Sequence, residues 1–192
     1  MEQGLSIEQL RDMVSNLRKE GLNSQQIADE LSLSQDTISW LIAESSNNDK
    51  PQDVRIGWRT IGVRPQRIAA IGAIMADVAA EECGDSIDTI VGISINGVLF
   101  ANEVASQLGC EVAIHRNVDG APGKGSLSNK YGQVSGKRVA IVDDVLSTGV
   151  TMSRTIEAMR DAGAEVALCM VLVNKTVRNE IDEVPLRGII RA

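Results

Sequence analysis

Residues 138–152, with the sequence RVAIVDDVLSTGVTM, constrain the fold of this chain more than any other segment. The apolar run 139–142 is typical of a buried parallel strand. Two adjacent carboxylates, Asp143 and Asp144, follow at the end of this strand, where open α/β sheets bind ligands. A small, hydroxyl-rich turn, 147–151, then precedes an amphipathic helix, and its backbone N–H groups suit a phosphate. Carboxylates for sugar hydroxyls beside a phosphate-binding turn predict a site for a ribose 5-phosphate.

The run AIVDDVLSTGVT resembles the phosphoribosyl-pyrophosphate (PRPP) motif of the type I phosphoribosyltransferases. That motif has a hydrophobic strand, two acids, two apolar residues and a small-residue loop with Gly and a closing Ser or Thr. The resemblance implies that Asp143 and Asp144 contact the ribose 2- and 3-hydroxyls. It implies that the 5-phosphate is held by Ser147, Thr148, Gly149, Val150 and Thr151. The alternative is a buried strand that ends in a solvated turn.

The composition narrows the class of protein. Hydrophobic residues make up 43% of the 192 residues but aromatic residues only 2%, so we expect an aliphatic core. No segment approaches the ~18 continuous apolar residues of a membrane span, and the polar N-terminus lacks the apolar core of a signal peptide. Three cysteines are too few for a disulfide framework or a zinc site. We therefore expect a cytoplasmic protein without a membrane partner. The net charge of −7 argues against a broad basic surface for nucleic acids.

The first fifty residues predict three helices. Apolar residues recur at helical spacing over residues 7–20, with Ser6 as N-cap and Gly21 as the end. Asn23 or Ser24 caps a second helix, and Ser34 caps a third that ends near residue 43. The run SQQIADELSLSQDTISWLIA fits a helix-turn-helix unit, although Ser32 stands where Gly is usual. The apolar positions to be buried are Ile27, Ala28, Leu31, Leu33, Ile38 and Leu41.

If this unit binds DNA, the third helix is the recognition helix. The candidate DNA-contacting residues are Ser34, Gln35, Asp36, Thr37, Ser39 and Trp40. Residues 1–50 carry four basic and nine acidic side chains, a net charge of −5, and this helix has no Lys or Arg. Phosphate contacts usually supply most DNA affinity, so such contacts would have to come from backbone N–H groups, Ser and Gln. The alternative is a three-helix module for dimerisation or partner binding, with Trp40 packed on the other domain.

The sequence predicts a helix-turn-helix domain over 1–46, a polar linker over 47–53 and a second domain over 54–192. In the second domain, 54–63 is expected to be extended and Pro65 to open a helix that ends at Gly84. Strands then alternate with helices, which predicts a parallel α/β sheet. The fold class is therefore α/β: a type I phosphoribosyltransferase-like parallel sheet flanked by helices, preceded by a small all-α domain.

A second strand-to-helix connection, GISING at 92–97, offers backbone N–H groups to an anion. By resemblance this loop binds pyrophosphate in the family. The residues that it would contribute are Ser94, Ile95, Asn96 and Gly97.

Two further residues, His115 and Lys124, would be catalytic only if the protein is an enzyme. His115, the single histidine, is a candidate general base, although a structural histidine at a strand end is the more common case. The segment 116–134 is rich in Gly, Ser and Asn and is long for an ordinary loop. In the family a mobile lid lies here, from which Lys124 and Lys130 would reach pyrophosphate. The basic run that orotate enzymes carry in this lid is absent, which argues against orotate turnover.

A helix-turn-helix unit joined to such a domain resembles the archaeal transcriptional regulators of the GfcR type, which are described as regulators of sugar catabolism. The resemblance implies operator DNA and a phosphorylated ribose effector as partners, and a homodimer. We expect a regulator of this kind to require no cofactor. Mg²⁺ would accompany PRPP if the site is occupied, and no metal site built from side-chain ligands is predicted. One alternative is an active phosphoribosyltransferase that uses PRPP and Mg²⁺. The other is a PRPP-binding protein whose first fifty residues serve assembly.

Overall fold

The computed structural model describes residues 6–31, 33, 35–43, 57–117, 125–128 and 130–192. The chain divides into two compact units, Met1–Arg59 and Thr60–Ala192. The linker expected at 47–53 lies outside the described residues, so the domain boundaries from the sequence stay a prediction.

Between residues 6 and 43 the described residues of the N-terminal unit form three helices: α1 (Ile7–Lys19), α2 (Ser24–Leu31) and α3 (Gln35–Ile42). Ser6 caps α1 through a reciprocal pair of hydrogen bonds with Gln9. Asn23 and Gln26 form the same arrangement at the start of α2. Each such pair satisfies N–H groups that have no partner within the helix, which explains why both helices begin there.

The apolar faces of these three helices share one small core. The predicted core positions of α2 and α3 are buried and Leu33 is half-buried, as the helical spacing indicated. Two residues of α1 complete the core. Its members are Leu10, Val14, Ile27, Ala28, Leu31, Ile38 and Leu41.

The rest of the chain alternates helices with strands, as predicted. Its elements are α4 (Trp58–Gly62), α5 (Pro65–Cys83), β1 (Thr89–Ile93), α6 (Ser94–Leu108), β2 (Glu111–Asn117), β3 (Gly125–Leu127), β4 (Arg138–Leu146), α7 (Val150–Asp161), β5 (Glu165–Asn174), β6 (Glu180–Ile181) and β7 (Val184–Arg191). Pro65 opens α5, and Gly84, at φ +60°, ends it. The expectation of extended structure over 54–63 was wrong for the short helix α4; the alternation there was too loose to specify a strand. Residues 54–56 lie outside the described part.

Seven strands form one sheet in the order β3-β2-β1-β4-β5-β7-β6. The five inner strands run parallel, whereas β3 and β6 pair antiparallel at the two edges. The expected parallel sheet is therefore confirmed for the inner strands, and each edge adds one antiparallel strand. At one edge, Asp182 and Glu183 have φ of +48° and +66°, the geometry of a two-residue hairpin turn. Such a turn joins only antiparallel strands.

The central strands carry the core. All five residues of β1 are buried, and so are residues 139–143 of β4. This matches the near-continuous apolar sequence expected of strands covered on both faces. Among the described helices, none is long and apolar enough to cross a membrane.

Candidate functional site

The two carboxylates of the central motif lie where the order of the sheet reverses. β4 pairs with β1 only as far as Val142, opposite Gly92, but with β5 as far as Leu146. Asp143 and Asp144 therefore belong to β4 itself, just beyond the point where its β1 neighbour ends. Because the chain proceeds from β1 to one side of the sheet and from β4 to the other, this edge is the switch point at which open α/β sheets bind ligands.

The N-terminus of α6 occupies the space that β1 leaves beside β4. The sequence predicted a loop over 92–97, but α6 begins at Ser94, directly after the strand, with Ser94 at φ +60°. Gly97 explains the close approach. A Cβ there would lie 2.8 Å from the carbonyl oxygen of Val142 and 3.1 Å from Oδ1 of Asp143. Ser94 and Gly97 thus reach the motif from the first turn of a helix.

Hydrogen bonds fix both carboxylates. The Ser94 hydroxyl donates to Oδ1 of Asp143 over 3.3 Å, and the same oxygen accepts from the Asp144 backbone N–H over 2.9 Å. The Asn96 amide donates to Oδ2 of Asp144 over 3.0 Å, and the Val145 N–H donates to its Oδ1 over 2.8 Å. The first turn of α6 and β4 therefore form one polar cluster. Ile95 takes no part through its side chain, which is 80% exposed.

Asp143 is the electrostatically unusual member of the cluster. It is 8% exposed. Burial, and after it the charge of Asp144, raises the pKa of Asp143 well above its ordinary value. An unliganded carboxyl in this state favours the proton, whereas donors from a ligand, such as ribose hydroxyls, favour the anion. Hydrogen-bond donors from a ligand would therefore act against the raised pKa of Asp143.

The turn that follows β4 has the form expected of a phosphate-binding turn. Gly149 adopts φ +86° and is the N-cap of α7, and the Val150 N–H donates to the Thr148 hydroxyl at 3.4 Å. The first N–H groups of α7, including that of Thr151, have no partners within the helix. Ser147 is half-buried.

A side chain at Gly149 would crowd two neighbouring side chains. Its Cβ would lie 3.3 Å from Cδ1 of Ile181 and 3.4 Å from Nη1 of Arg178. Arg178 was not singled out from the sequence. Its one sequence signal is a cation shortly after a strand, β5, whose carboxyl end lies at the same sheet edge as the acid pair.

His115 is placed in the core and not in the candidate site. It is 1% exposed, and its Nδ1 lies 3.1 Å from the Thr155 hydroxyl of α7. That hydroxyl also donates to the Thr151 carbonyl. Because a hydroxyl has one hydrogen, Nδ1 of His115 is the donor to Thr155. Nε2 then carries the lone pair, and it is buried with no hydrogen-bond partner in the described part of the chain. Burial lowers the pKa of His115. These contacts give it a structural role and leave it unsuited as a general base.

The lid lysines are not brought to the acid pair by any described contact. Lys124 lies outside the described residues. Lys130 is described and exposed.

The candidate recognition helix, α3, is described only in part. Ser34 and the side chains of Gln35 and Asp36 lie outside the described set. Ser39 is exposed. Thr37 is only 4% exposed, which corrects its expected place among the DNA-contacting residues, since it faces the unit's own core. Trp40 is half-buried against that core, with the Arg11 guanidinium 5.6 Å from its ring centroid.

The basic residues of helices α1–α3 all come from α1. Arg11, Arg18 and Lys19 line one cleft of about 450 Å³, together with Val14, Ser15, Leu41 and Ile42. The sequence indicated that α3 lacks cations. The structure shows instead where the cations of these three helices lie: beside the C-terminal end of α3.

Comparison with known proteins agrees with this architecture. Residues 57–189 match the family model of the phosphoribosyl transferase domain. A transcriptional regulator GfcR of Thermoplasma acidophilum is 39% identical over 190 residues, which cover 97% of this chain and 96% of that protein. Another GfcR, from Picrophilus torridus, is 37% identical over 190 residues, 97% of each chain.

Solved structures share the fold. The adenine phosphoribosyltransferase of Thermoanaerobacter pseudethanolicus superposes with a TM-score of 0.61 at 20% identity, over 76% of this chain and 91% of that one. This likeness extends to the sheet and its helices. With the sequence matches over nearly the whole chain, it leads to one assignment: the chain belongs to the family of the archaeal GfcR transcriptional regulators and contains a phosphoribosyl transferase domain over residues 57–189.

Proposed function

We propose that this protein is a DNA-binding transcriptional regulator of sugar or nucleotide metabolism in the cytoplasm. Its N-terminal unit binds operator DNA as a helix-turn-helix. Its C-terminal unit binds PRPP with Mg²⁺, or a related phosphorylated ribose, as the effector. The protein works as a homodimer, because two copies of α3 match the two halves of a palindromic operator.

The observation that carries the DNA-binding part is the extent of the family match. The relatives named transcriptional regulator align over 97% of the chain, so the match includes the three-helix unit as well as the phosphoribosyl transferase domain. Exposed Ser39 on α3 is a candidate contact. Arg11, Arg18 and Lys19 supply the positive charge that α3 lacks.

The ligand part is supported by the groups gathered at the switch point. Asp143 and Asp144 offer acceptor oxygens to vicinal hydroxyls, and the Gly149 turn offers N–H donors to a phosphate. Because Gly149 has no side chain, the turn and the Arg178 guanidinium can approach each other closely. Mg²⁺ would enter with PRPP and neutralise its pyrophosphate.

Regulation follows if the effector binds one arrangement of the dimer better than another. The coupling is reciprocal, so DNA that favours that arrangement also tightens effector binding. The direction of regulation depends on which arrangement binds the operator.

The primary experiment measures binding of the full-length protein to genomic fragments at two salt concentrations. We expect selection of particular fragments and a steep loss of affinity with salt. Uniformly absent or unselective binding would refute the regulator proposal. Ser39→Glu tests the role of α3 because the added negative charge is repelled by the DNA phosphates. Asn16 is exposed on α1, so Asn16→Glu adds the same charge elsewhere and is the matched control. Only Ser39→Glu should abolish selection.

A second assay addresses the enzyme alternative. The protein is incubated with PRPP, Mg²⁺ and each common nucleobase, and pyrophosphate release is followed. We expect no release. Rapid release with any base would make the protein a phosphoribosyltransferase.

A further inference from the structure

The negative charge of the candidate ligand is not balanced by the turn at 147–151 alone. A phosphate monoester carries about −1.5 to −2 charges near pH 7, and Asp143 and Asp144 belong to the same site. The turn at 147–151 contributes hydroxyls and backbone N–H groups but no cation. A dianion beside two acidic side chains needs positive charge close to the turn.

Arg178 lies in the position to supply that charge. Its Nη1 is 3.4 Å from the point where a Cβ of Gly149 would lie, so the guanidinium lies beside the turn. Among the described residues, no side chain or carbonyl accepts a hydrogen bond from this guanidinium. Its donors are therefore available to a ligand on that side of the turn.

The backbone of Arg178 is held firmly enough to direct the side chain. Its N–H donates to the Thr176 hydroxyl over 3.1 Å. Its carbonyl accepts from the amide of Asn174, a fully buried residue, over 3.0 Å and from Arg191 over 3.3 Å. Asn174 ends β5 and pairs with Leu146 at the end of β4. The segment that carries Arg178 is thus anchored to the same two strand ends as the turn.

We propose that Arg178 is a phosphate-binding residue of this site and makes it selective for ribose compounds that keep their 5-phosphate. This rests on the proposed ligand class. The guanidinium contacts the phosphate oxygens from the side opposite the N–H groups of the turn, as a charge-assisted pair. Glycine is required at position 149 because any side chain there would separate the Arg178 guanidinium from the turn.

Calorimetry on the full-length protein tests the role with two probes, ribose 5-phosphate and ribose. Arg178→Gln removes the charge and keeps hydrogen-bonding capacity. Arg178→Lys keeps the charge, and Arg154→Gln, exposed on α7, is the matched control. We expect Arg178→Gln to weaken ribose 5-phosphate binding roughly tenfold to a hundredfold, the effect of losing one charge-assisted hydrogen bond. Arg178→Lys should recover part of this loss, and Arg154→Gln should bind like the parent.

The outcomes separate this proposal from the one on which it rests. If Arg178→Gln binds ribose 5-phosphate as tightly as the parent, while Asp143→Asn with Asp144→Asn does not, Arg178 has no such role and the ligand site stands. A loss for ribose equal to that for ribose 5-phosphate would likewise overturn it, because the defect would not concern the phosphate. If the parent binds neither probe, nor PRPP with Mg²⁺, the ligand class itself is wrong and the Arg178 assignment fails with it.

Discussion

The side-chain amide of Asn96 donates to Oδ2 of Asp144 over 3.0 Å, although 48 positions separate the two residues along the chain. The contact joins the first turn of α6 to β4 at the switch point of the sheet. It places a neutral donor, and the positive end of a helix dipole, next to a pair of acids. The acid pair is therefore held by the neighbouring βα unit as well as by its own strand.

Asn96→Asp would put a third carboxylate against Asp144. We expect ribose 5-phosphate affinity to fall at least tenfold, and thermal stability to fall as well, because close like charges repel. Calorimetry and thermal unfolding measure the two effects. Asn102→Asp, exposed on the same helix, should change neither by more than a small amount. Equal effects of both substitutions would show that only the net charge matters.

Asp143→Asn should stabilise the ligand-free protein while weakening ligand binding. The pKa of Asp143 is raised above its ordinary value of 3.8 by burial and by Asp144, so its ionisation disfavours the fold as the pH rises through the raised pKa. The stability of the variant relative to the parent should therefore increase from pH 4 to pH 7. At pH 7 we expect its free energy of unfolding to exceed that of the parent by about 0.5–2 kcal/mol. Urea unfolding at both pH values measures this. If the variant is less stable than the parent at pH 7, burial of the ionised Asp143 carboxylate does not destabilise the fold.

His115 should make stability depend on pH in the opposite direction. Burial lowers its pKa below the ordinary 6.5, so the unfolded chain takes up a proton at higher pH than the folded protein does. The stabilisation of the fold by neutral His115 is fully present above pH 6.5 and is lost as the pH falls towards the pKa of His115 in the folded protein. Urea unfolding between pH 7.5 and 5 should show a decline in the parent that is smaller in His115→Asn. Asn is chosen because it retains a polar group near Thr155. If the stability of parent and variant falls equally with pH, His115 does not cause the decline.

Gly97→Ala should destabilise the protein because the added Cβ would lie 2.8 Å from the Val142 carbonyl oxygen. Backbone cannot yield as a flexible side chain can, so we expect a loss of about 1–3 kcal/mol in the free energy of unfolding. Ligand affinity should fall with it, since the shift displaces α6 from Asp143. Gly62→Ala, where nothing lies within 4 Å, is the control and should be close to neutral. Equal stability of both variants would exclude a tight α6–β4 contact.

Local features of the fold could be predicted closely from the sequence. Ser6 and Asn23 cap helices because their partners stand three positions away. The alternation of apolar strands with helices predicted the α/β sheet, and the acid pair with its small-residue turn identified the strand that carries the candidate site. Such features depend on residues within one or two helical turns of each other, so the order of residues alone suffices to define them.

Only the tertiary structure decided which distant groups meet. The start of α6 at Ser94, the contact of Asn96 with Asp144, the burial of His115 under Thr155 and the position of Arg178 beside Gly149 follow from strand register and helix packing. The two antiparallel edges of the sheet also follow from pairing. Apart from the β6–β7 pair, which a two-residue turn joins, each of these contacts joins segments whose separation in the chain carries no signal of proximity. The sequence by itself determined the strand and the small-residue turn that follows it, whereas packing of the folded chain determined the residues that surround them.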